Sequence, residues 1–241
     1  MTKWVEGRVI ENRHWTEQLF SLRVEAPRLE FEAGQFVRIA LDERVARPFS
    51  FVNPPADPVL EFYGIVVPQG PLSPLLNRLG NGDRLLIASN PAGFLVLSEV
   101  PDAEVLWLVS TGTGIAPFLS LLRTDTLWRR FSKVVLVHAV RRRRELVYQE
   151  MIHGICKDQS LRYVTFVSRE AAAGSLAGRI PAAIRDGRLE QAAGLPLDSR
   201  SHAMLCGNPA MLKDAAAALA ERGLRKHRRR APGHITVESF W

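Results

Sequence analysis

Two cysteines, Cys156 and Cys206, are all that 241 residues contain. That is too few for a disulfide framework, a four-cysteine zinc site or a four-cysteine iron–sulfur cluster. Any redox chemistry would therefore come from an organic cofactor. Long apolar runs are also missing: none approaches the ~20 residues of a membrane-spanning helix. Met1 to Ile10 lacks the apolar core of a signal peptide. The expectation is a cytoplasmic protein with no membrane partner. There are no long repeats and no low-complexity tracts.

Acidic residues are the scarcer charge, 25 Asp and Glu against 32 Lys and Arg, a formal net charge of +7. The surplus is local, in Arg141 to Arg144 and again in Arg222, Arg225, Lys226, Arg228, Arg229 and Arg230. Such a field favours acidic partners, whether nucleic acid, phosphorylated ligands or an acidic protein. A solvated basic face with no partner is the plain alternative. The remaining composition, 46% hydrophobic and 24% charged, is that of an ordinary globular protein, and the length suits two domains.

From Trp4 to about Ser89 the pattern is short, alternating and β-branched. It predicts strands at Trp4–Arg13, Leu19–Val24, Gln35–Leu41, Pro48–Asn53, Leu60–Val67 and Arg84–Ala88, and a short helix near Ser73–Leu79. Six antiparallel strands suggest a small closed barrel. Beyond a connector at Phe94–Asp102, apolar strands alternate with helical patterns. The strands are Val105–Val109, Lys133–Val140, Arg162–Ser168, His202–Cys206 and His234–Phe240; the helices lie around Glu145–Ile155, Ile180–Gly187 and Asn208–Arg222. That alternation predicts a five-stranded parallel, doubly wound sheet. The expected fold class is β + α/β, with residues 1–98 forming the barrel and 99–241 the α/β domain.

The chain is organised around Val105 to Leu122, VLWLVSTGTGIAPFLSLL, a strand, a glycine turn and a helix in succession. Unpaired amides at such a helix start attract phosphate. The spacing is G-x-G-x-x-P rather than G-x-G-x-x-G, so a structural βα turn and a nucleotide site both remain open on this stretch alone. On the sheet model, Thr111–Gly114, Arg141, Ser168, Arg169 and Cys206-Gly207-Asn208 fall just beyond strand ends and converge on one rim. Arginines there, with Arg179 a short loop later, accommodate the extra phosphate of NADP. The bland alternative pairs Arg169 with Glu170 or another surface neighbour.

In the barrel, Arg47 and Phe49 of Arg47-Pro48-Phe49-Ser50 share a strand face. A flat ring with a phosphate tail could use the charge, the ring and the hydroxyl. Otherwise Phe49 is a core aromatic and Ser50 an edge hydroxyl. Pro71-Leu72-Ser73-Pro74 reads as a helix start, with Ser73 as cap or phosphate contact; the cap alone would explain it.

Taken together, RPFSFVNPP, LEFYGIVVPQGPLSPLL, STGTGIAPFLS, VLVHAVR, VSREAAAGSLAGRIP, LCGNPAM and RRRAPGHITVESFW resemble the bacterial ferredoxin/flavodoxin NADP reductases, particularly the short enterobacterial type, nearly end to end. The resemblance implies an FAD barrel followed by an NADP domain. Arg47, Pro48, Phe49 and Ser50 would hold the flavin and its phosphates, with Tyr63, Gly64, Ile65 and Val66 beside it. Pro71, Leu72 and Ser73 would lie at the pyrophosphate, and Thr113 would touch the flavin from the second domain. Arg141, Ser168, Arg169, Arg179, Gly207 and Asn208 would bind NADP(H). Ser50, Cys206 and Glu238 match positions around the flavin N5 and the nicotinamide. Phe240 and Trp241 would pack on FAD. Position 49 departs from the family's usual Tyr, so stacking survives while a phenolic hydrogen bond is lost.

The function so implied is hydride transfer between NADPH and FAD, coupled to one-electron exchange with an acidic ferredoxin or flavodoxin, by a monomer. A flavin reductase or an oxygenase reductase component on the same scaffold is the nearer alternative. A basic nucleic-acid-binding protein is the distant one, and the chain shows no recognised nucleic-acid module.

Overall fold

The computed structural model describes residues 2–239; the expectations for Phe240 and Trp241 lie outside them. The chain forms two compact units. One runs to Leu97 and takes in Ala116–Thr124; the other comprises Ser98–Ile115 and the chain from Asp125 onward.

In the first unit, β1 (Trp4–His14), β2 (Leu19–Glu25), β3 (Phe36–Ala40), β4 (Ala46–Ser50), β5 (Leu60–Ile65) and β6 (Arg84–Ala88) form one antiparallel sheet in the order β4-β3-β6-β1-β2-β5. The two outer strands meet just past β4, where Phe51 bridges Phe62 and the Val52 amide donates to the Glu61 carbonyl at 2.8 Å. Closure leaves no long open edge. The residues that alternate inward, among them Val9, Phe20, Leu22, Val37, Ile39, Phe62, Leu85 and Ile87, fill the interior. The short helix α1 (Ser73–Leu76) follows β5.

The second unit holds β7 (Val105–Thr111), β8 (Lys133–Val140), β9 (Leu161–Val167), β10 (Leu176–Ala177), β11 (Ser201–Gly207) and β12 (Ile235–Ser239), all parallel, in the order β10-β9-β8-β7-β11-β12. The sheet has six strands where five were expected. The extra one is two residues long and pairs Leu176 with Phe166 and Ala177 with Val167, too short for a period of two to register in the sequence. Every residue of β11, and all of β7 except Thr111, is buried, as a sheet covered on both faces requires.

The helices after α1 are α2 (Ala116–Leu122), α3 (Asp125–Arg130), α4 (Gln149–Asp158), α5 (Ile180–Arg185), α6 (Arg188–Ala193) and α7 (Pro209–Glu221). The helix expected from Glu145 begins only at Gln149, because Tyr148 adopts a left-handed conformation with φ 58°. Helix α2 directly follows the glycine turn of the second unit yet packs within the first. Among the described residues no helix is long and apolar enough to cross a membrane, and no cluster of three or more His, Cys, Asp or Glu is placed to hold a metal ion.

Candidate functional site

The rim of the parallel sheet is built by backbone approach. Past β7 the chain makes a tight 3-10 turn, Gly112–Ile115, and comes so close to β11 that a Cβ on Gly114 would stand 2.6 Å from the Cys206 carbonyl oxygen and 2.8 Å from the Gly207 Cα. No side chain fits there. Thr111 fastens the same junction, its Oγ1 accepting the Asn208 amide at 2.9 Å. Thr113 is buried in the turn.

Behind the turn lies His138, fully buried in β8, with Nε2 3.1 Å from the Gly112 carbonyl oxygen. Burial pushes its pKa down to about 4, against a smaller upward effect of that hydrogen bond. It is therefore neutral near pH 7. Since a carbonyl only accepts, the ring proton sits on Nε2. The signal for His138 was present in VVLVHAV, one titratable residue in an apolar run, but its role depends on a contact 26 residues away.

Cys206 is paired laterally with Ser110 on one side and Glu238 on the other. Burial, with the Glu238 carboxylate adding to it, raises the Cys206 pKa well above that of an ordinary thiol. It stays a neutral thiol, suited to lining a pocket rather than to nucleophilic attack. Of the expected trio, the structure thus brings Cys206 and Glu238 together on adjacent strands, while Ser50 belongs to the first unit.

The arginines sort themselves by partner. At the ends of β8 and β9 the Arg169 amide donates to the Arg141 carbonyl at 2.9 Å, and the Ser168 amide to the Val140 carbonyl at 3.1 Å. Glu145 accepts the Arg141 amide, whereas Glu170 accepts the Arg143 amide and pairs with the Arg142 guanidinium. The nearby acids are thereby occupied. Arg141, Arg169 and Arg179 are exposed, with no acidic partner among the described residues. The pairing of Arg169 with Glu170 does not form; Arg142 takes its place. Asn208 caps α7, its Oδ1 accepting the Ala210 and Met211 amides, so its side-chain acceptor is committed to the helix. Gly207 is buried beside it.

In the first unit, β4 carries Arg47, Pro48, Phe49 and Ser50, with Ser50 opposite Phe36 of β3. The Ser50 hydroxyl is buried and has no hydrogen-bond partner among the described residues. Arg47 is exposed, donates to the Ala46 carbonyl and has no ion pair among the described residues. The half-buried ring of Phe49 packs so closely on β5 that a Cβ on Gly64 would meet it at 3.0 Å and Phe20 at 2.9 Å. Tyr63 is buried opposite Ser21, Ile65 ends the strand, and Val66 follows it, its amide donating to the Gln18 carbonyl. Pro71 leads into α1, whose N-cap is the buried Leu72 with no side-chain cap bond. Ser73 is not the cap: it lies one residue inside the helix, and its Oγ accepts the Val67 amide at 2.9 Å. That leaves its own proton to donate.

A buried orphan hydroxyl costs free energy unless something completes it. Beside it here are a guanidinium with no ion pair among the described residues and an aromatic ring over bare backbone. This donor set fits a planar, hydrogen-bonding ring with an anionic tail.

Comparison with known proteins sharpens this. Residues 108–217 match the oxidoreductase NAD-binding domain. The flavodoxin/ferredoxin–NADP reductase of Shigella flexneri is 50% identical over a 248-residue alignment spanning all of both chains, and that of Escherichia coli (strain K12) is 49% identical over the same span. The chain belongs to the flavodoxin/ferredoxin–NADP reductase family. A solved ferredoxin NADP+ reductase from Neisseria gonorrhoeae with bound FAD and NADP superposes with a TM-score of 0.95 at 33% identity, covering both chains completely. The reductase architecture of barrel and parallel sheet is thus shared.

Proposed function

We propose that this protein is an FAD-dependent reductase that passes hydride between NADP(H) and its flavin and exchanges single electrons with a ferredoxin or flavodoxin. The observation that carries the reading is the buried hydroxyl of Ser50, without a hydrogen-bond partner among the described residues, on the strand that also presents Arg47 and Phe49. Bound FAD supplies the capacity to take up two electrons as hydride and release them one at a time.

The chain's residues bind and orient. Ser50 completes its hydrogen bonding on the flavin ring, Phe49 stacks, Arg47 pairs with phosphate, and Tyr63, Gly64, Ile65 and Val66 line the ring. Pro71 and Leu72 shape the pyrophosphate segment, where Ser73 contributes its remaining proton. On the rim, Arg141, Arg169 and Arg179 recognise the 2'-phosphate that separates NADP from NAD, with Ser168, Gly207 and the Asn208 backbone beside them. Thr113 serves the flavin. Cys206, held as a thiol, shapes the nicotinamide pocket, and Glu238 holds a proton or orients the nicotinamide.

The electron carrier is an acidic protein. Of the C-terminal basic cluster, Arg222 pairs with Glu190 and Arg229 with Glu99, but Arg225, Lys226, Arg228 and Arg230 are exposed without an ion pair among the described residues. Such charge raises association rates with an acidic partner at low salt.

The test is the visible spectrum of the purified protein and its anaerobic bleaching by NADPH and NADH, followed by reoxidation with flavodoxin or ferredoxin. A flavin spectrum bleached faster by NADPH and restored by the carrier is expected. Colourless, folded protein that cannot be reconstituted with FAD overturns the reading; turnover of free FMN without carrier reduction would make it a flavin reductase.

A further inference from the structure

Two backbone carbonyls just past β4 leave the barrel ladder. Phe51 and Val52 donate their amides to Gln35 and Glu61, but the carbonyls of Val52 and Asn53 are taken by side chains of and just beyond α2. The Ser120 Oγ donates to the Asn53 carbonyl at 2.7 Å, a fully buried contact between residues 67 apart in sequence, and the Arg123 Nη1 donates to the Val52 carbonyl at 3.3 Å. Arg123 also pairs with Asp57 and Glu61, both at 3.4 Å, and all three side chains are largely covered. Asn53 is wholly buried, and its Oδ1 accepts the Glu61 amide at 2.8 Å. The segment that follows β4 is thus held by the residue before β3, by β5, and by α2 and the residue just beyond it.

What makes the clamp consequential is chain continuity. Asn53 stands three residues after Ser50. Helix α2 starts at Ala116, directly after the Gly112–Ile115 turn that carries Thr113. A buried hydrogen bond reinforced by partly shielded ion pairs resists displacement more than an exposed one. Resting on the function proposed above, we propose that Ser120, seconded by Arg123, is a positioning residue for hydride transfer: its bond to the Asn53 carbonyl locks the segment behind Ser50 to the helix behind Thr113. Neither residue needs to touch a reacting atom. Fixing such geometry matters because small misplacements of reacting groups are costly in rate.

The test uses the FAD-loaded full chain with Ser120→Ala, Ser120→Thr, Arg123→Met and Arg123→Lys. Three quantities are read: the rate of anaerobic bleaching by NADPH, the dissociation constants of FAD and NADPH, and amide hydrogen exchange at residues 112–124. Ser120→Ala is expected to slow bleaching roughly tenfold, to leave both dissociation constants within about twofold, and to speed exchange across 112–124. Ser120→Thr and Arg123→Lys, which keep a donor, are expected to recover most of the rate and protection. Wild-type bleaching and exchange in Ser120→Ala and Arg123→Met overturn the proposal, as does a rate loss matched by an equal loss of FAD affinity. If Ser120→Ala does not fold, Arg123→Met decides by the same readouts. Should the unaltered protein fail to bleach with NADPH, the functional reading falls, and the exchange arm still shows whether Ser120 holds the turn.

Discussion

Gly114 has its missing side chain aimed at Cys206: a Cβ there would lie 2.6 Å from the Cys206 carbonyl oxygen. The glycine turn is therefore a packing requirement before it is a ligand site. Gly114→Ala must push the turn away from β11, and about 2 kcal/mol of lost stability is expected, read as a lower thermal midpoint. Gly154, inside α4 and facing open space, serves as the contrast. Gly154→Ala should raise stability by about 0.5–1 kcal/mol.

Burial, first, holds both His138 and His202 down to a pKa of about 4. In the unfolded chain each titrates near 6.5, so between these values the unfolded state binds more protons. Stability is therefore full above pH 6.5 and is lost as pH falls towards 4, by roughly 3 kcal/mol for each histidine. Denaturant midpoints measured across that window should fall, and His138→Gln, whose amide can still donate to Gly112, should remove about half of the slope. A flat profile would contradict the burial of both rings.

Ser50→Ala removes a hydroxyl with no hydrogen-bond partner among the described residues. The FAD-free protein should lose no stability and can gain up to about 1 kcal/mol. FAD binding should weaken roughly tenfold, as for a lost hydrogen bond. Lower stability of the FAD-free variant in chemical denaturation would place the hydroxyl in a structural role instead.

Arg169 and Arg142 stand on the same rim, the first without an acidic partner among the described residues and the second paired with Glu170. Loss of a charge-assisted bond to phosphate is worth about 2 kcal/mol, roughly thirtyfold. Arg169→Ala should raise the KM for NADPH by that factor and leave the KM for NADH unchanged, while Arg142→Ala alters neither by more than about twofold. An equal change with both nucleotides would remove Arg169 from the 2'-phosphate.

How much was legible in the chain differs between levels of structure. Alternation with period two and unbroken apolar runs place β1 to β9, β11 and β12 within a few residues, because both are local consequences of which faces must be buried. The glycine turn and the polar strand ends were readable for the same reason. Strand β10 was not, since two residues carry no period.

By itself, then, the sequence determined that a six-stranded antiparallel sheet precedes a parallel one alternating with helices, and the residue types available at the strand ends; β10, α3 and α6 were not in it. Only the tertiary structure decided that Glu170 pairs with Arg142 rather than its neighbour Arg169, and that Ser73 serves Val67 instead of capping a helix. Likewise only the fold brings the Asn53 carbonyl to Ser120 and the Gly112 carbonyl to His138. Hydrogen-bond partners across 26 or 67 residues are chosen by register and by distances of a few tenths of an ångström, and no local pattern in the chain encodes those.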